Sequence, residues 1–151
     1  MNETRYSRII LLIMKKLLPF FAFLFLLNSC GEYVHPTIPT RKVDFFIYLD
    51  DIRYQNLLNY GGYVYLTGGV NGLVVYRVAE NMFVCYDRAC PHDWQHPDSW
   101  IWVEDSGLTL QCTLCGSRFN ILDGNIVNGP AVNPLYTYRT AFDGIRLRIY
   151  N

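Results

Sequence analysis

After residue 43 the apolar positions fall in short runs that alternate with polar side chains, and none keeps the i, i+3, i+4 spacing of a helix for three turns. The nearest approach, 52–60, is short and runs into Gly61-Gly62. The β-rich runs predict strands at 44–49, 62–67, 73–78, 82–86, 108–112, 135–141 and 145–150. Asn71-Gly72, Asp123-Gly124 and Asp143-Gly144, with Ser106-Gly107, supply the positive φ angles that two-residue hairpin turns require. In the last run Ile145, Leu147 and Ile149 alternate with Arg146, Arg148 and Tyr150, so one face is buried and the arginines are solvated. The pattern is that of an all-β domain, an antiparallel sandwich or barrel.

The first thirty residues follow a different rule. Met14-Lys15-Lys16 is followed by an almost wholly apolar stretch, 17–27, and then by Leu27-Asn28-Ser29-Cys30. A charged start, a short apolar run and a small residue before a cleavage point make a secretory signal. The run is interrupted by Pro19 and is short against the roughly 20 residues of a membrane span. Residues 1–13 are an upstream extension, since Met14 begins a complete signal by itself. The Leu-x-Ser-Cys ending resembles the lipobox of bacterial lipoproteins, which implies cleavage after residue 29 and lipidation of Cys30. Residues 30–42, with Pro36 and Pro39, read as the lipidated Cys and a stalk, and 43–151 as the folded domain. His35 belongs to the stalk and is solvated.

Composition sharpens the class. With 51% hydrophobic and 17% charged residues, the chain is neither disordered nor a coiled coil. Zero net charge and the lack of a basic run of five or more argue against a nucleic-acid partner. Removing 1–29 takes away Arg5, Arg8, Lys15, Lys16 and Glu3, leaving nine basic against twelve acidic residues, a net charge of −3. No Ser-His-Asp set, paired carboxylates or phosphate loop points to an organic substrate. Five cysteines are too few for a disulfide scaffold and indicate a site. Cys85, inside a predicted strand, reads as a small buried hydrophobe.

Two loops carry the chemistry: Cys90-Pro91-His92 and Cys112-Thr113-Leu114-Cys115-Gly116. Loops this short turn both side chains inward while backbone N–H groups point at the sulfur. Three Cys and one His suit tetrahedral zinc, and a [2Fe–2S] cluster also needs four ligands, so ligand count alone does not choose the metal.

The run from Cys115 to Ala131 resembles the second half of a Rieske domain: Gly116, Phe119, Gly124, Gly129, Pro130 and Ala131 keep that family's spacing. The resemblance covers about residues 43–151, and implies a Rieske-like fold with a small metal-binding subdomain of two loops, at 90–96 and 112–119. By that mapping Cys90 and Cys112 hold the inner iron of a [2Fe–2S] cluster, and His92 with Cys115 the outer one. Cys115 stands where the family has its second His. The added thiolate favours the ferric form, so the expected potential lies between the about −150 to +300 mV of Rieske centres and the about −400 mV of plant-type ferredoxins. Ser117 matches a hydroxyl that bonds cluster sulfur in high-potential members. Phe119 replaces a Tyr, removing a second such donor. Gly129-Pro130 matches the loop that shields the cluster. Asp93-Trp94-Gln95-His96 departs from the family, which has a Gly there; His96 reads as an exposed loop residue and Trp94 and Trp100 as covering the site.

The resemblance implies a Rieske-like electron-transfer lipoprotein, an electron carrier and not a catalyst, similar in size to the small Rieske ferredoxins. Its partner would be a redox protein, and its place the periplasmic or outer-surface face of a bacterial membrane. The rival is a zinc-binding structural or interaction protein on the same fold. It is favoured because Arg5 and Arg8 are separated and give no twin-arginine signal for a prefolded cluster protein. A third state is an empty site with Cys112 and Cys115 oxidised to a disulfide.

Overall fold

In a computed structural model that describes residues 37–151, ten short strands make two antiparallel sheets. The strands are β1 (Asp44–Tyr48), β2 (Tyr63–Leu66), β3 (Leu73–Ala79), β4 (Met82–Asp87), β5 (Ile101–Val103), β6 (Thr109–Cys112), β7 (Arg118–Asn120), β8 (Ile126–Asn128), β9 (Thr137–Phe142) and β10 (Arg146–Tyr150). The larger sheet has the order β1-β10-β9-β4-β3-β2 and the smaller β5-β6-β7-β8. The architecture is all-β, as the pattern predicts. The 52–60 segment forms a 3-10 helix, Ile52–Leu58, capped by Asp51, whose carboxylate accepts from Arg53 N. Among the described residues no helix is long and apolar enough to cross a membrane. Cys30, His35 and the leader lie outside the described residues.

Two differences from the pattern matter for the site. First, β5, β7 and β8, three residues each, were not among the predicted strands, and they supply most of the small sheet. At that length a period-2 alternation cannot be told from chance. Second, β3 and β4 are covered on both faces, unlike the one wet face expected of the last run. Leu73, Val75, Phe83 and Cys85 point into one core with Leu147 and Ile149. Val74, Tyr76 and Tyr86 point into a second core with Ile101, Leu110, Phe119 and Ile121 of the small-sheet region. The small sheet covers the face that alternation would otherwise leave to water.

Hairpin chemistry also departs from expectation. The Asx-Gly and Ser-Gly glycines all have positive φ, but they sit in longer loops. The two-residue connection is Glu80-Asn81 between β3 and β4, beside a register shift at Arg77/Ala79. Leu147 and Ile149 are buried as predicted, whereas Ile145 is 65% exposed because it belongs to the turn before β10. Packing begins upstream of residue 43: Ile38 is buried in the first core.

Candidate metal centre

The two loops are set by the sheets that flank them. The first, between β4 and β5, is closed at its base by the Ala89↔Trp100 bridge and by Ile101 N donating to Arg88 O at 2.8 Å. Its inner turns follow one another: Asp93 N to Cys90 O, His96 N to Asp93 O and Ser99 N to His96 O. The second loop connects β6 to β7 as a tight knuckle in which Cys112 N donates to Ser117 O at 2.9 Å and Gly116 N to Cys112 O at 3.2 Å. Gly116 adopts φ +71°, a left-handed conformation that lets the chain turn within four residues. The loops are tied together: Thr113 N donates to Trp100 O at 3.0 Å, and Trp100 N to Thr113 Oγ1 at 3.2 Å.

This framing brings three of the four expected donors to one point. The sulfurs of Cys90, Cys112 and Cys115 all lie within 4.8 Å of one another, with Cys90 and Cys115 at 3.6 Å. Cys90 and Cys112 are buried and Cys115 is half-buried. Backbone N–H groups face each sulfur: those of His92 and Asp93 at Cys90, of Leu114 and Cys115 at Cys112, and of Ser117 at Cys115. Cys112 is held well below the ordinary thiol range, chiefly by its hydrogen bond with Cys90, against desolvation. Cys90 is pushed up by the same contact and by burial. The two thiols are coupled, so ionising one disfavours ionising the other. Three converging thiols with N–H donors aimed at them are suited to carry thiolate charge, and the donor set fits a thiolate-ligated centre.

His92 is not in that group. Its side chain is 43% exposed and its Nε2 lies 3.7 Å from Asp93 Oδ1. It lines a groove of about 610 Å³ with Trp94, His96, Pro97 and Leu114, so the imidazole stands at the surface next to the knuckle. His96 faces Asp98, its Nδ1 accepting from Asp98 N at 3.2 Å, and is likewise outside the thiol group. Trp94 packs against the first core, while Trp100 is 46% exposed beneath the Arg88 guanidinium.

Around the sulfurs, Ser117 is fully buried, with its Oγ 3.1 Å from Cys115 Sγ and accepting from Ala131 N at 3.0 Å. Phe119 is buried in the second core and brings no hydroxyl. Gly129 rests on Ser117: a Cβ there would meet Ser117 Cα at 2.4 Å, and its φ is +115°. The Gly129-Pro130-Ala131 segment thus seats against the knuckle from outside, with Gly129 and Pro130 themselves exposed. Cys85 is fully buried in the first core, away from the three thiols, and burial pushes its thiol up.

Two residues of the site region escaped the sequence reading. Ser99 is fully buried with its Oγ 3.5 Å from Cys112 Sγ. Asp87, also fully buried, accepts from Val70 N, Asn71 N, Ala89 N and the Tyr138 hydroxyl, stapling the start of the first loop to the 68–72 turn and β9. Neither lies in a motif; an isolated Ser before Trp100 and an Asp at a strand end carry no signal of their own.

The profile of the Rieske [2Fe-2S] domain matches residues 53–139, more than half of the 151-residue chain. No curated protein matches the sequence. Among solved structures, the ferredoxin of carbazole 1,9a-dioxygenase from Nocardioides aromaticivorans IC177 is 18% identical, with 74% of this chain and 98% of that one covered and a TM-score of 0.49. A complex of reduced oxygenase and oxidised ferredoxin in carbazole 1,9a-dioxygenase contains a chain 21% identical, covering 61% and 82%, at a TM-score of 0.46.

Proposed function

The chain belongs to the Rieske [2Fe-2S] domain family, and on that premise we propose that it is an electron-transfer lipoprotein holding a [2Fe–2S] cluster on three thiolates and one imidazole. Cys90, Cys112, Cys115 and His92 would hold the cluster, which supplies reversible one-electron chemistry. The observation that carries this reading is the convergence of the three cysteines from two loops inside the family-matched segment. The residues of this chain insulate and tune: N–H groups stabilise thiolate charge, and Ser117 gives Cys115 a hydroxyl. The half-exposed His92 offers an edge where a partner can approach. Such a protein makes and breaks no substrate bond; its partner is another redox protein. Cleavage before Cys30 and its lipidation would tether the folded domain, whose packing already includes Ile38, to a bacterial membrane, facing the periplasm or the outside.

A second reading is one zinc ion without redox function held by the same thiol triangle. Four ligands about 2.3 Å from one ion stand about 3.8 Å apart, close to the Cys90–Cys115 separation of 3.6 Å. Iron, zinc and acid-labile sulfide analysis of freshly purified protein, with a visible and low-temperature spin-resonance spectrum, separates the two. Two irons and two sulfides per chain with a rhombic signal on reduction support the cluster. A colourless protein with one zinc overturns it. Mass analysis of the mature N-terminus tests the lipid: an unmodified Cys30, or cleavage elsewhere, removes the lipoprotein assignment.

A further inference from the structure

Buried polar side chains are scarce in this domain: among the described residues Asp87, Ser99 and Ser117 are the fully buried polar or charged ones. Asp87 is spent on the fold, bonded to three backbone N–H groups and a tyrosine. Each of the two serines puts its hydroxyl against a different ligand sulfur, Ser117 on Cys115 at 3.1 Å and Ser99 on Cys112 at 3.5 Å. A hydroxyl withdrawn from water without a partner is unfavourable, so its placement is informative.

Ser99 is held from every side but that one. Its N–H donates to His96 O at 3.0 Å and its carbonyl accepts from Asn71 Nδ2 at 3.0 Å. The next residue, Trp100, is locked to Thr113, the neighbour of Cys112. Only the hydroxyl remains uncommitted, and Cys112 Sγ is its hydrogen-bond partner among the described residues. Once Cys112 is a metal-bound thiolate it has no proton to offer, so the Ser99 O–H is the donor.

We propose that Ser99 is a tuning residue of the centre: its hydroxyl donates to the Cys112 sulfur and raises the reduction potential of the cluster held there. The inference rests on the [2Fe–2S] reading above. When one electron enters, negative charge on the ligand sulfurs grows, and a donor fixed beside one of them stabilises the reduced form more than the oxidised form. The loop framework sets the donor in place before reduction, so little reorganisation accompanies the electron.

The test uses the full-length protein and four variants, S99A, S99C, S99T and the exposed control S106A, whose side chain serves only its own turn. Iron and sulfide are counted first, then the midpoint potential is measured at fixed pH by mediated spectroelectrochemistry. S99A should lower the equilibrium constant for reduction about tenfold, about 59 mV for one electron, with S99C, a weaker donor, falling part of the way. S99T keeps the hydroxyl and should stay with wild type, as should S106A. Wild-type potentials in whichever of S99A and S99C holds the cluster overturn the proposal. Loss of the cluster from both overturns it too, in favour of a purely structural role. Absence of iron and sulfide from the wild-type protein instead removes the cluster reading itself, a different failure read at an earlier step.

Discussion

Cys90 and Cys115 are 25 residues apart in sequence and on different loops, yet their sulfurs stand 3.6 Å apart. The contact exists because β5 and β6 pair Ile101 with Cys112 while the knuckle returns the chain to Ser117 within hydrogen-bonding reach of Cys112 N. Cys115 is therefore part of the thiol group and not a bystander in place of the family's histidine.

Replacing Cys115 should separate its role from that of Cys85. C115H should retain the cluster and raise the midpoint toward the range of about −150 to +300 mV of two-histidine centres, since one thiolate charge is removed. C85A should leave metal content and potential at wild type, because Cys85 lies outside the thiol group and in the first core. Metal analysis with redox titration checks both; an unchanged potential in C115H contradicts Cys115 ligation.

Gly129 should tolerate no side chain. A Cβ would lie 2.4 Å from Ser117 Cα and 2.8 Å from its Oγ, and the φ of +115° is unfavourable for any L-residue. G129A should lose about 1–3 kcal/mol in urea unfolding. G107A, with φ +67° and nothing within 4 Å, should lose only about 1 kcal/mol. Equal losses would mean that contact with Ser117 is unimportant.

Asp87 should be needed for the loop that carries Cys90. Its carboxylate accepts four hydrogen bonds at 2.7 to 3.1 Å from Val70, Asn71, Ala89 and Tyr138. D87A leaves those donors unmatched and should destabilise by about 3 kcal/mol or more, whereas Y138F removes one donor and should lose about 1 kcal/mol. Denaturant midpoints give the comparison, and a D87A loss no larger than that of Y138F would refute the staple.

Acid stability should depend in part on Asp143. The Arg146 side chain, then the N–H groups of Arg146 and Ile145, hold its carboxyl at about 2, down from 3.8. A depressed native value means that the contribution is complete above pH 3.8 and disappears as pH falls through about 2. D143N keeps a turn acceptor without the charge, so its Tm deficit should shrink across that window and be flat above it. Loss of metal in acid is common to both proteins and cancels in the difference. Parallel Tm curves would exclude this group.

The strands of the larger sheet were legible because their runs are long enough to show alternation or a continuous apolar stretch: 73–78 and 82–86 lie within β3 and β4. The family was legible for another reason, since glycines and prolines at fixed spacing encode backbone shapes that few other residues can adopt. β5, β7 and β8 were not, because three residues hold less than two periods of a pleat.

Chemistry divides along the same line. The sequence by itself determined which residues can ligate: cysteines and histidines in Cys-x-His and Cys-x2-Cys loops, fixed by local spacing and side-chain type. Only the tertiary structure decided which of them meet. It gathered Cys90, Cys112 and Cys115, left His92 at the groove and buried Cys85 in the other core. It also decided that Ser99 faces a sulfur. Those outcomes depend on strand pairing between residues far apart in the chain, and on cores that cover both faces of β3 and β4, contacts that no local pattern of residues encodes.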